Sequence, residues 1–188
     1  MIEPTDRRKQ LADAAIETLA HAGMRGFTHR AVDHAAGLPE GSCSNHFRTR
    51  QALLAAAVNR LTELSVAQAF VPRPDADIDE IAADLAVLAE SWLTIGRTRT
   101  LARYELSLES LRQPQLRETL LQATAGARAL VEPLFITLGA ADPAVATHDF
   151  AACLDGILFG HLVGTAALDP LPDRLSPVIR NLLRAFLA

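Results

Sequence analysis

The sequence is poor in cysteine and in aromatic residues. Its 188 residues include two cysteines, one tryptophan, one tyrosine and seven phenylalanines. Cys43 and Cys153 are too few for a disulfide framework and fit a reducing cytoplasm. No run approaches the roughly 18 uninterrupted apolar residues of a membrane span, and no apolar segment follows the charged N-terminus as in a secretory signal. These absences argue against a disulfide-rich secreted protein and a membrane protein, and they predict a cytoplasmic location.

Motifs of common enzyme and metal sites are also missing. The sequence contains no G-x-S-x-G motif, no P-loop, no dinucleotide-binding fingerprint and no C-x-x-C or H-E-x-x-H motif. Glu105 and Glu109 lie four residues apart, but a di-iron bundle also needs Glu-x-x-His motifs on further helices. Glu118 and Glu132 have no histidine three residues later. We therefore predict no enzymatic activity, no metal and no other cofactor.

Alanine and leucine are abundant, which favours helices. Hydrophobic residues make up 49% of the chain and charged residues 21%, as in an ordinary globular protein. Glycines, prolines and N-cap residues divide the chain into about nine helical segments, and no segment is convincing as a strand. Asp142–Pro143 and Ser176–Pro177 predict the starts of the eighth and ninth helices, and Pro133 is expected to kink or end the seventh. We predict an all-α fold.

Charge is unevenly distributed along the chain. Residues 1–50 contain seven basic and six acidic residues, a net charge of +1, whereas residues 51–188 contain eleven basic and sixteen acidic residues, a net charge of −5. This asymmetry suggests that only the N-terminal part meets a polyanion. We predict two domains, residues 1–50 and residues 51–188.

The segment from Gly26 to Leu54 has the pattern of a helix-turn-helix. Two short helices are predicted over Thr28–Ala36 and Pro39–His46, with Thr28 as an N-cap. Gly37 between them can adopt the left-handed conformation of a tight turn. In such a motif the second helix lies in the major groove of DNA, so residues 1–50 are predicted to bind DNA.

The second predicted helix and its neighbours carry side chains suited to DNA. Short hydroxyl and amide groups can contact phosphates or base edges, and basic groups, including an N-terminal arm of Arg7, Arg8 and Lys9, can neutralise phosphates. The predicted DNA-binding residues are Thr28, Arg30, Ser42, Ser44, Asn45, His46, Arg48 and Arg50.

Several residues in this segment are types that can bind metals. His29 and Asp33 are four residues apart, and Cys43 and His46 are three apart. Because pairs at this spacing arise by chance, we interpret these residues and His34 as solvated or DNA-facing polar side chains.

Small, aromatic and basic residues recur at fixed positions in this part of the chain: Gly23, Thr28, Ala35-Ala36-Gly37, Gly41, Phe47, Arg50 and Leu53-Leu54. With these residues, the first 55 or so positions resemble the tetracycline-repressor (TetR/AcrR) family of bacterial transcriptional regulators. Three positions depart from the family pattern. Ser44 stands where an aromatic residue is usual, Arg50 replaces the usual lysine, and Glu40 should repel a nearby phosphate.

The resemblance implies a function and two kinds of partner. It implies a homodimer that binds a near-palindromic operator in double-stranded DNA. It also implies a pocket in residues 51–188 for a small effector, which the apolar candidate lining suggests is hydrophobic or aromatic. Ligand binding would change the separation of the two recognition helices, so we predict a ligand-responsive regulator, most simply a repressor.

Residues 51–188 are expected to supply the dimer interface and the ligand pocket. Gly156, Gly160 and Gly164 recur every four residues, although each glycine in a helix costs roughly 1 kcal/mol relative to alanine. They allow close packing, either with a second copy or with a bulky neighbour of the same chain. The predicted dimer-interface residues are Gly156, Gly160, Gly164, Ile179 and Leu183, and the predicted ligand-binding residues are Trp92, Arg103, Tyr104, Glu105, Phe135, Phe150 and Phe159.

An alternative function is a helical protein-interaction module that does not bind DNA. Added salt discriminates between the two, because binding to phosphates weakens steeply with salt whereas an apolar protein interface does not.

Overall fold

The described part of the chain, residues 4–73, 75–164 and 172–187 of a computed structural model, folds into α-helices. Nine helices and no strand are present there, which confirms the predicted all-α class. In chain order they are α1 Pro4–Gly26, α2 His29–Ala35, α3 Ser42–His46, α4 Arg50–Ala67, α5 Ile78–Leu93, α6 Arg97–Ser110, α7 Pro114–Thr137, α8 Pro143–Val163 and α9 Pro172–Ala185.

The chain divides into two compact units that are each discontinuous in sequence. The first unit contains Met1–Ala67 and Thr98–Ala125, and the second contains Gln68–Arg97 and Gly126–Ala188. The first unit has twelve basic and ten acidic residues, a net charge of +2, and the second has six basic and twelve acidic residues, a net charge of −6. The functional boundary between residues 50 and 51 stays a prediction, while α4 belongs to the same compact unit as α1 to α3.

The core of the first unit holds the short helices in place. Leu11, Ala15 and Leu19 recur every four residues on α1 and are completely buried. They form one cluster with apolar residues of α4 and of the segment from α2 to α3. Because an isolated helix of five to seven residues is unstable in water, this packing is what makes α2 and α3 helical. Other buried members of the cluster are Phe27, Val32, Cys43, Phe47, Leu53, Leu54, Ala57 and Val58.

The core of the second unit is built mainly on α5, α8 and α9. Leu175, Ile179 and Leu183 form a stripe along α9 in which each residue is at most 1% exposed. The same cluster includes Ile81 and Leu85 of α5. A capping box at the start of α5, formed by Asp77 and Glu80, and an ion pair of 2.6 Å between Arg180 Nε and Asp79 Oδ1 add polar contacts at the edge of this core.

Two predicted helix boundaries were wrong. The third helix begins at Ser42 and not at Pro39, because Gly41 adopts a left-handed φ of 91° and ends the preceding turn. The ninth helix begins at Pro172 and contains Pro177, because burial of Leu175 extends the apolar stripe upstream of that proline. Pro133 was expected either to kink or to end the seventh helix, and it does not end it, because α7 continues to Thr137.

The described ranges contain neither a helix suited to cross a membrane nor a cluster of metal-binding side chains. Within them, no helix combines the length and the apolar character that a bilayer crossing requires. The same ranges contain no group of three His, Cys, Asp or Glu side chains arranged to hold a metal ion.

Candidate nucleic-acid interface

The geometry of the helix-turn-helix begins with the caps of α2. Thr28 precedes α2 with extended backbone, and its Oγ1 accepts a hydrogen bond of 3.1 Å from the backbone N–H of Ala31. This confirms Thr28 as an N-cap. Gly37 follows α2 with a φ of 66°, as the tight turn was predicted to require. The local chemistry of two residues therefore defines where α2 starts and where the turn begins.

The short helix α3 has one buried and one exposed side. Cys43 is completely buried in the core of the first unit, whereas Ser44 and Asn45 are exposed. Ser42 Oγ donates a hydrogen bond of 2.6 Å back to the carbonyl oxygen of Pro39. Phe47 closes the helix and is 3% exposed, so α3 is held at both ends while its polar middle faces outward.

Asp33 of α2 is buried and contacts the start of α3. Its side chain is 1% exposed. Oδ2 accepts a hydrogen bond of 2.8 Å from the backbone N–H of Gly41, and Oδ1 accepts one of 2.6 Å from that of Cys43. The interpretation of Asp33 and Cys43 as solvated or DNA-facing side chains was therefore wrong, because the carboxylate finds its partners inside the protein and Cys43 is completely buried.

The same contact affects the Cys43 thiol. Burial, and then the nearby negative charge of Asp33, raises the pKa of Cys43 from 9.0 to about 11. Both effects disfavour the thiolate. Cys43 is thus a neutral, unreactive thiol at physiological pH, consistent with the core role of most buried free cysteines.

Two basic residues hold the C-terminal end of α3. Arg8 Nη1 donates a hydrogen bond of 3.0 Å to the carbonyl oxygen of His46, and its guanidinium lies 4.6 Å from the centre of the Phe47 ring. His29 Nε2 donates one of 2.7 Å to the carbonyl oxygen of Phe47. Arg8 was predicted to belong to a basic arm, and in this structure it binds a helix end.

Arg50 and Arg30 also have partners within the protein. Arg50 Nε donates to the carbonyl oxygen of Phe27 at 3.2 Å, and Nη2 donates to that of Met24 at 2.5 Å. Arg30 Nε lies 3.0 Å from Glu40 Oε1, and both side chains of this pair are more than two thirds exposed. The carboxylate of Glu40, which was expected to repel phosphate, is therefore partly neutralised by Arg30.

The eight predicted DNA-binding residues separate into two groups. In the described part of the chain, the side chains of Thr28, Arg30, Ser42 and Arg50 have partners within the protein. Those of Ser44, Asn45, His46 and Arg48 have no such hydrogen bond or ion pair there. Contact with DNA stays a prediction for all eight. The second group consists of consecutive residues of α3 and one arginine just after it, so it forms a single polar surface, which we name the α3 surface.

The seven predicted ligand-binding residues are divided between the two units. Arg103, Tyr104 and Glu105 lie in the first unit, where Glu105 Oε2 accepts a hydrogen bond of 3.3 Å from the backbone N–H of Met24. The Arg103 guanidinium lies 5.0 Å from the centre of the Tyr104 ring. A cavity of about 200 Å³ between α4 and α7 in this unit is lined by polar residues such as Gln51 and by none of the seven.

The other four candidates lie in the second unit. Phe135 and Phe150 are buried and pack edge to face, with their ring centres 5.5 Å apart. Trp92 is half-buried, and Phe159 is 44% exposed. Phe135 and Phe150 are thus core residues in this conformation, and ligand contact stays a prediction for all seven.

The predicted dimer residues fall in two different environments. Gly156 is exposed, and a Cβ added there would meet no neighbouring atom. Gly160 is half-buried, and Gly164 ends α8. Ile179 and Leu183 have no exposed surface because they pack into the core of the second unit. Their assignment to a surface between two copies is therefore corrected: they are core residues of one chain.

The predicted dimer residues left out most of the apolar side chains beside these glycines. Ala152, Cys153 and Val163 are exposed on α8 in addition to Phe159. Cys153 and Ala152 lie three and four residues before Gly156, and Val163 lies seven residues after it. These spacings place them on one side of the helix. This spacing was the signal in the sequence that could have identified the surface.

Comparisons with known proteins agree with the fold. The family model described as "Tetracyclin repressor-like, C-terminal domain" matches residues 76–188. No curated protein matches the sequence. The structures of several bacterial regulators match almost the full chain.

Three solved structures illustrate this similarity. A TetR-family member from Streptomyces coelicolor A3 is 30% identical, with a TM-score of 0.72 over 97% of this chain and 99% of that chain. The multidrug binding protein EbrR complexed with ethidium, also solved with proflavin, is 27% identical, with a TM-score of 0.71 over 96% and 99% of the two chains. A transcriptional regulator from Rhodococcus sp. Rha1 shares the fold at 19% identity, with a TM-score of 0.80 over 96% and 95%. With more than half of its residues matched by the family model, this chain belongs to the TetR family of transcriptional regulators.

Proposed function

We propose that this ligand-responsive transcriptional regulator is a repressor that binds a near-palindromic operator as a homodimer and is released by a small aromatic effector. The observation that carries the proposal is the α3 surface. Ser44, Asn45, His46 and Arg48 project from a short helix whose opposite side is buried, and none of these side chains has a partner in the described part of the chain. Polar groups that the protein itself does not use are available to DNA.

The residues of the α3 surface are suited to different kinds of contact with DNA. Asn45 has an amide that can donate and accept at a base edge, which is the bidentate chemistry that recognises adenine. Arg48 carries a positive charge that neutralises a phosphate regardless of sequence. Ser44 has a hydroxyl where the family usually has an aromatic residue, and a hydroxyl can still donate to a phosphate oxygen. Asn45 is therefore assigned to specificity and Arg48 to general affinity.

The homodimer is assigned to the exposed side of α8. Gly156 leaves room for another backbone, and Phe159 and Val163 are apolar side chains that remain 44% and 53% exposed in one chain. Two copies of one surface give a twofold-symmetric pair. Two recognition helices then contact half-sites about one helical turn, or a multiple of it, apart, which is why the operator is expected to be near-palindromic.

The binding site of the effector is assigned to the second unit, and the effector is assigned to the class of planar aromatic cations. EbrR has been solved with ethidium and proflavin, which are molecules of this class. The net charge of −6 on the second unit of this chain attracts cations. Aromatic candidates in the unit are Trp92, Phe135, Phe150 and Phe159, whose ring faces attract cations. Because Phe135 and Phe150 pack against each other, a ligand that binds between them must first separate the rings.

Other parts of the proposal follow from this function. Residues 1–50 act as the DNA-binding domain, and residues 51–188 act in ligand binding and dimerisation. The protein binds DNA and effector without catalysing a reaction. It works in the cytoplasm, where a bacterial regulator meets its operator.

The test is fluorescence anisotropy with duplexes selected by the protein from random DNA, and with DNA from upstream of its own gene. Binding should resist excess non-specific competitor and weaken steeply with added salt. Asn45→Ala should reduce the ratio of specific to non-specific affinity by about tenfold, since a good base contact is worth roughly 1–3 kcal/mol. Arg48→Ala should weaken binding to all sequences alike and reduce the salt slope by about one.

Matched controls lie in the second unit. Asn181→Ala and Arg128→Ala remove exposed side chains of the same types from α9 and α7. Both variants should bind DNA like the unmodified protein. If the selection from random DNA recovers no common sequence and binding does not depend on salt, the alternative of a protein-interaction module replaces the proposal.

A further inference from the structure

The buried carboxylate of Asp33 stands out among the ionisable groups of the first unit. It is 1% exposed, and in the described part of the chain no basic side chain pairs with it. A buried charge is strongly unfavourable unless hydrogen bonds compensate for it. Here both oxygens accept from backbone N–H groups, at 2.8 Å from Gly41 and 2.6 Å from Cys43. Hydrogen bonds of this length to an ionised acceptor are among the stronger ones in proteins.

These two N–H groups are among those that α3 cannot satisfy by itself. The first four N–H groups of any helix lack partners within the helix, and α3 has only five residues. Gly41 is its N-cap and Cys43 its second residue. Asp33 therefore supplies, from α2, acceptors that the start of α3 otherwise lacks. The negative charge also lies at the positive end of the α3 dipole.

We propose that Asp33 is the positioning residue that orients α3 for sequence recognition, an inference that rests on the proposed function. Two hydrogen bonds that one side chain accepts from residues two apart restrain both the position of the helix start and its rotation. Ser44 and Asn45 follow Cys43 directly, so their directions depend on that rotation. Contacts with base edges need groups placed to within about 0.5 Å, whereas a phosphate contact through a long arginine tolerates a larger shift. Loss of Asp33 should therefore reduce discrimination between sequences more than it reduces general affinity.

The first test measures the local position of α3 without DNA. Asp33→Asn keeps the shape of the side chain, but its NH2 group cannot accept from a backbone N–H. The reporter is alkylation of Cys43, which is completely buried and whose pKa is raised to about 11. The background is Cys153→Ser, because Cys153 is exposed and would otherwise react first. Removing the Asp33 charge by itself lowers the pKa of Cys43, so each alkylation rate is divided by the thiolate fraction obtained from its own pH dependence. After this correction, Asp33→Asn should still speed Cys43 alkylation at least about tenfold beyond what its global unfolding constant allows.

The second test measures discrimination between DNA sequences. The probes are the duplex that the unmodified protein selects from random DNA and a scrambled duplex of the same length. Asp33→Asn should lower the ratio of the two affinities about tenfold, with at most about a threefold change for the scrambled duplex. The matched control is Asp142→Asn, which alters the N-cap of α8, where Oδ1 accepts from the backbone N–H of Val145 at 3.1 Å. This control should change neither Cys43 alkylation nor the affinity ratio.

The inference and the proposed function fail in different ways. If the Asp33→Asn variant alkylates at the control rate or keeps the full affinity ratio, Asp33 does not position α3. If the variant does not fold, amide hydrogen exchange of the unmodified protein decides the question: the Gly41 and Cys43 amides should be protected about 100-fold or more, and rapid exchange overturns the inference. A failure of the unmodified protein to select any DNA counts against the proposed function, because alkylation and exchange need no DNA.

Discussion

At the scale of single residues, three arginines of the same charge differ in whether they bind groups within the protein. Arg8 and Arg50 donate to backbone carbonyl groups that end α3 or precede α2. Arg48 has no partner in the described residues. The sequence places all three among or beside the DNA-binding residues, and it cannot rank them. Of these three arginines, Arg48 alone can meet a phosphate without giving up a contact within the described residues, so it is expected to contribute most of the three to general affinity.

A residue-scale prediction concerns Glu40. Replacing Glu40 by Gln removes a negative charge beside the α3 surface and frees Arg30, whose Nε now lies 3.0 Å from Glu40 Oε1. DNA affinity should rise several-fold at low salt, and the salt slope should steepen by up to about one, because Arg30 gains access to phosphate. The unfolding free energy should change by less than about 1 kcal/mol, since exposed ion pairs contribute little.

The measurement for Glu40→Gln is anisotropy at a series of salt concentrations, with chemical denaturation to follow stability. The control is Glu118→Gln, an exposed glutamate of α7 in the same unit. Equal affinities for the Glu40→Gln variant and the unmodified protein would mean that the Arg30–Glu40 pair lies away from the bound DNA.

At the scale of elements, α3 exists only in its context. Its five residues are too few to form a stable helix alone. Cys43 and Phe47 anchor it in the core, Asp33 holds its first N–H groups, and Arg8 and His29 hold its last carbonyl groups. The helix that is expected to meet DNA is thus determined by residues of α1 and α2 as well as by its own two anchors. The sequence predicts a short helix here, but the predicted start lies three residues too early because the pattern does not reveal the turn through Gly41.

An element-scale prediction separates the surface of α8 from the core stripe of α9. Phe159→Glu places a charge on the proposed dimer surface and should convert the dimer to monomers while leaving each chain folded. Leu183→Ala should instead lower the unfolding free energy by about 2–5 kcal/mol, because it leaves a cavity in the core of the second unit. Sedimentation velocity measures association, and thermal denaturation measures stability.

The control for these two variants is Val87→Glu, which adds the same charge to an exposed residue of α5. It should remain dimeric and stable. The assignment would be contradicted if the Leu183→Ala variant were folded but monomeric while the Phe159→Glu variant stayed dimeric. That result would mean that Leu183, and not Phe159, lies in the dimer interface.

At the scale of the whole molecule, the two compact units differ more in net charge than residues 1–50 and residues 51–188 do. The residues predicted to form the basic part carry a net charge of +1, yet the unit that contains them carries +2 and the other unit carries −6. The difference arises because residues 98–125, from α6 and the first part of α7, join the first unit with four arginines and three glutamates, a net charge of +1. Opposite signs on the two units suit a protein that binds a polyanion with one and a cation with the other.

A whole-molecule prediction follows for the effector. Ethidium should bind the DNA-free protein at least about tenfold more tightly at low salt than fluorescein, a planar dye of opposite charge, because the second unit attracts cations. The measurement is titration calorimetry without DNA, since ethidium also binds DNA directly. The preference should shrink as salt is added. Equal affinities for the two dyes would contradict the proposal that the effector is a cation. The proposal of an aromatic effector would remain.

The sequence alone determined those features that depend on neighbouring residues. The helical class follows from composition and from the spacing of apolar residues, and Thr28, Gly37 and Asp142 define turns and helix starts because each cap or turn is made within about four residues of its own position. The tertiary structure alone decided the features that depend on partners distant in sequence. It buried Asp33 against α3, tied Arg50 to the carbonyl groups of Met24 and Phe27, and placed Ile179 and Leu183 in the core of one chain. The physical reason is that a polar or apolar side chain specifies only what kind of partner it needs, and the packing of the helices decides which partner it meets.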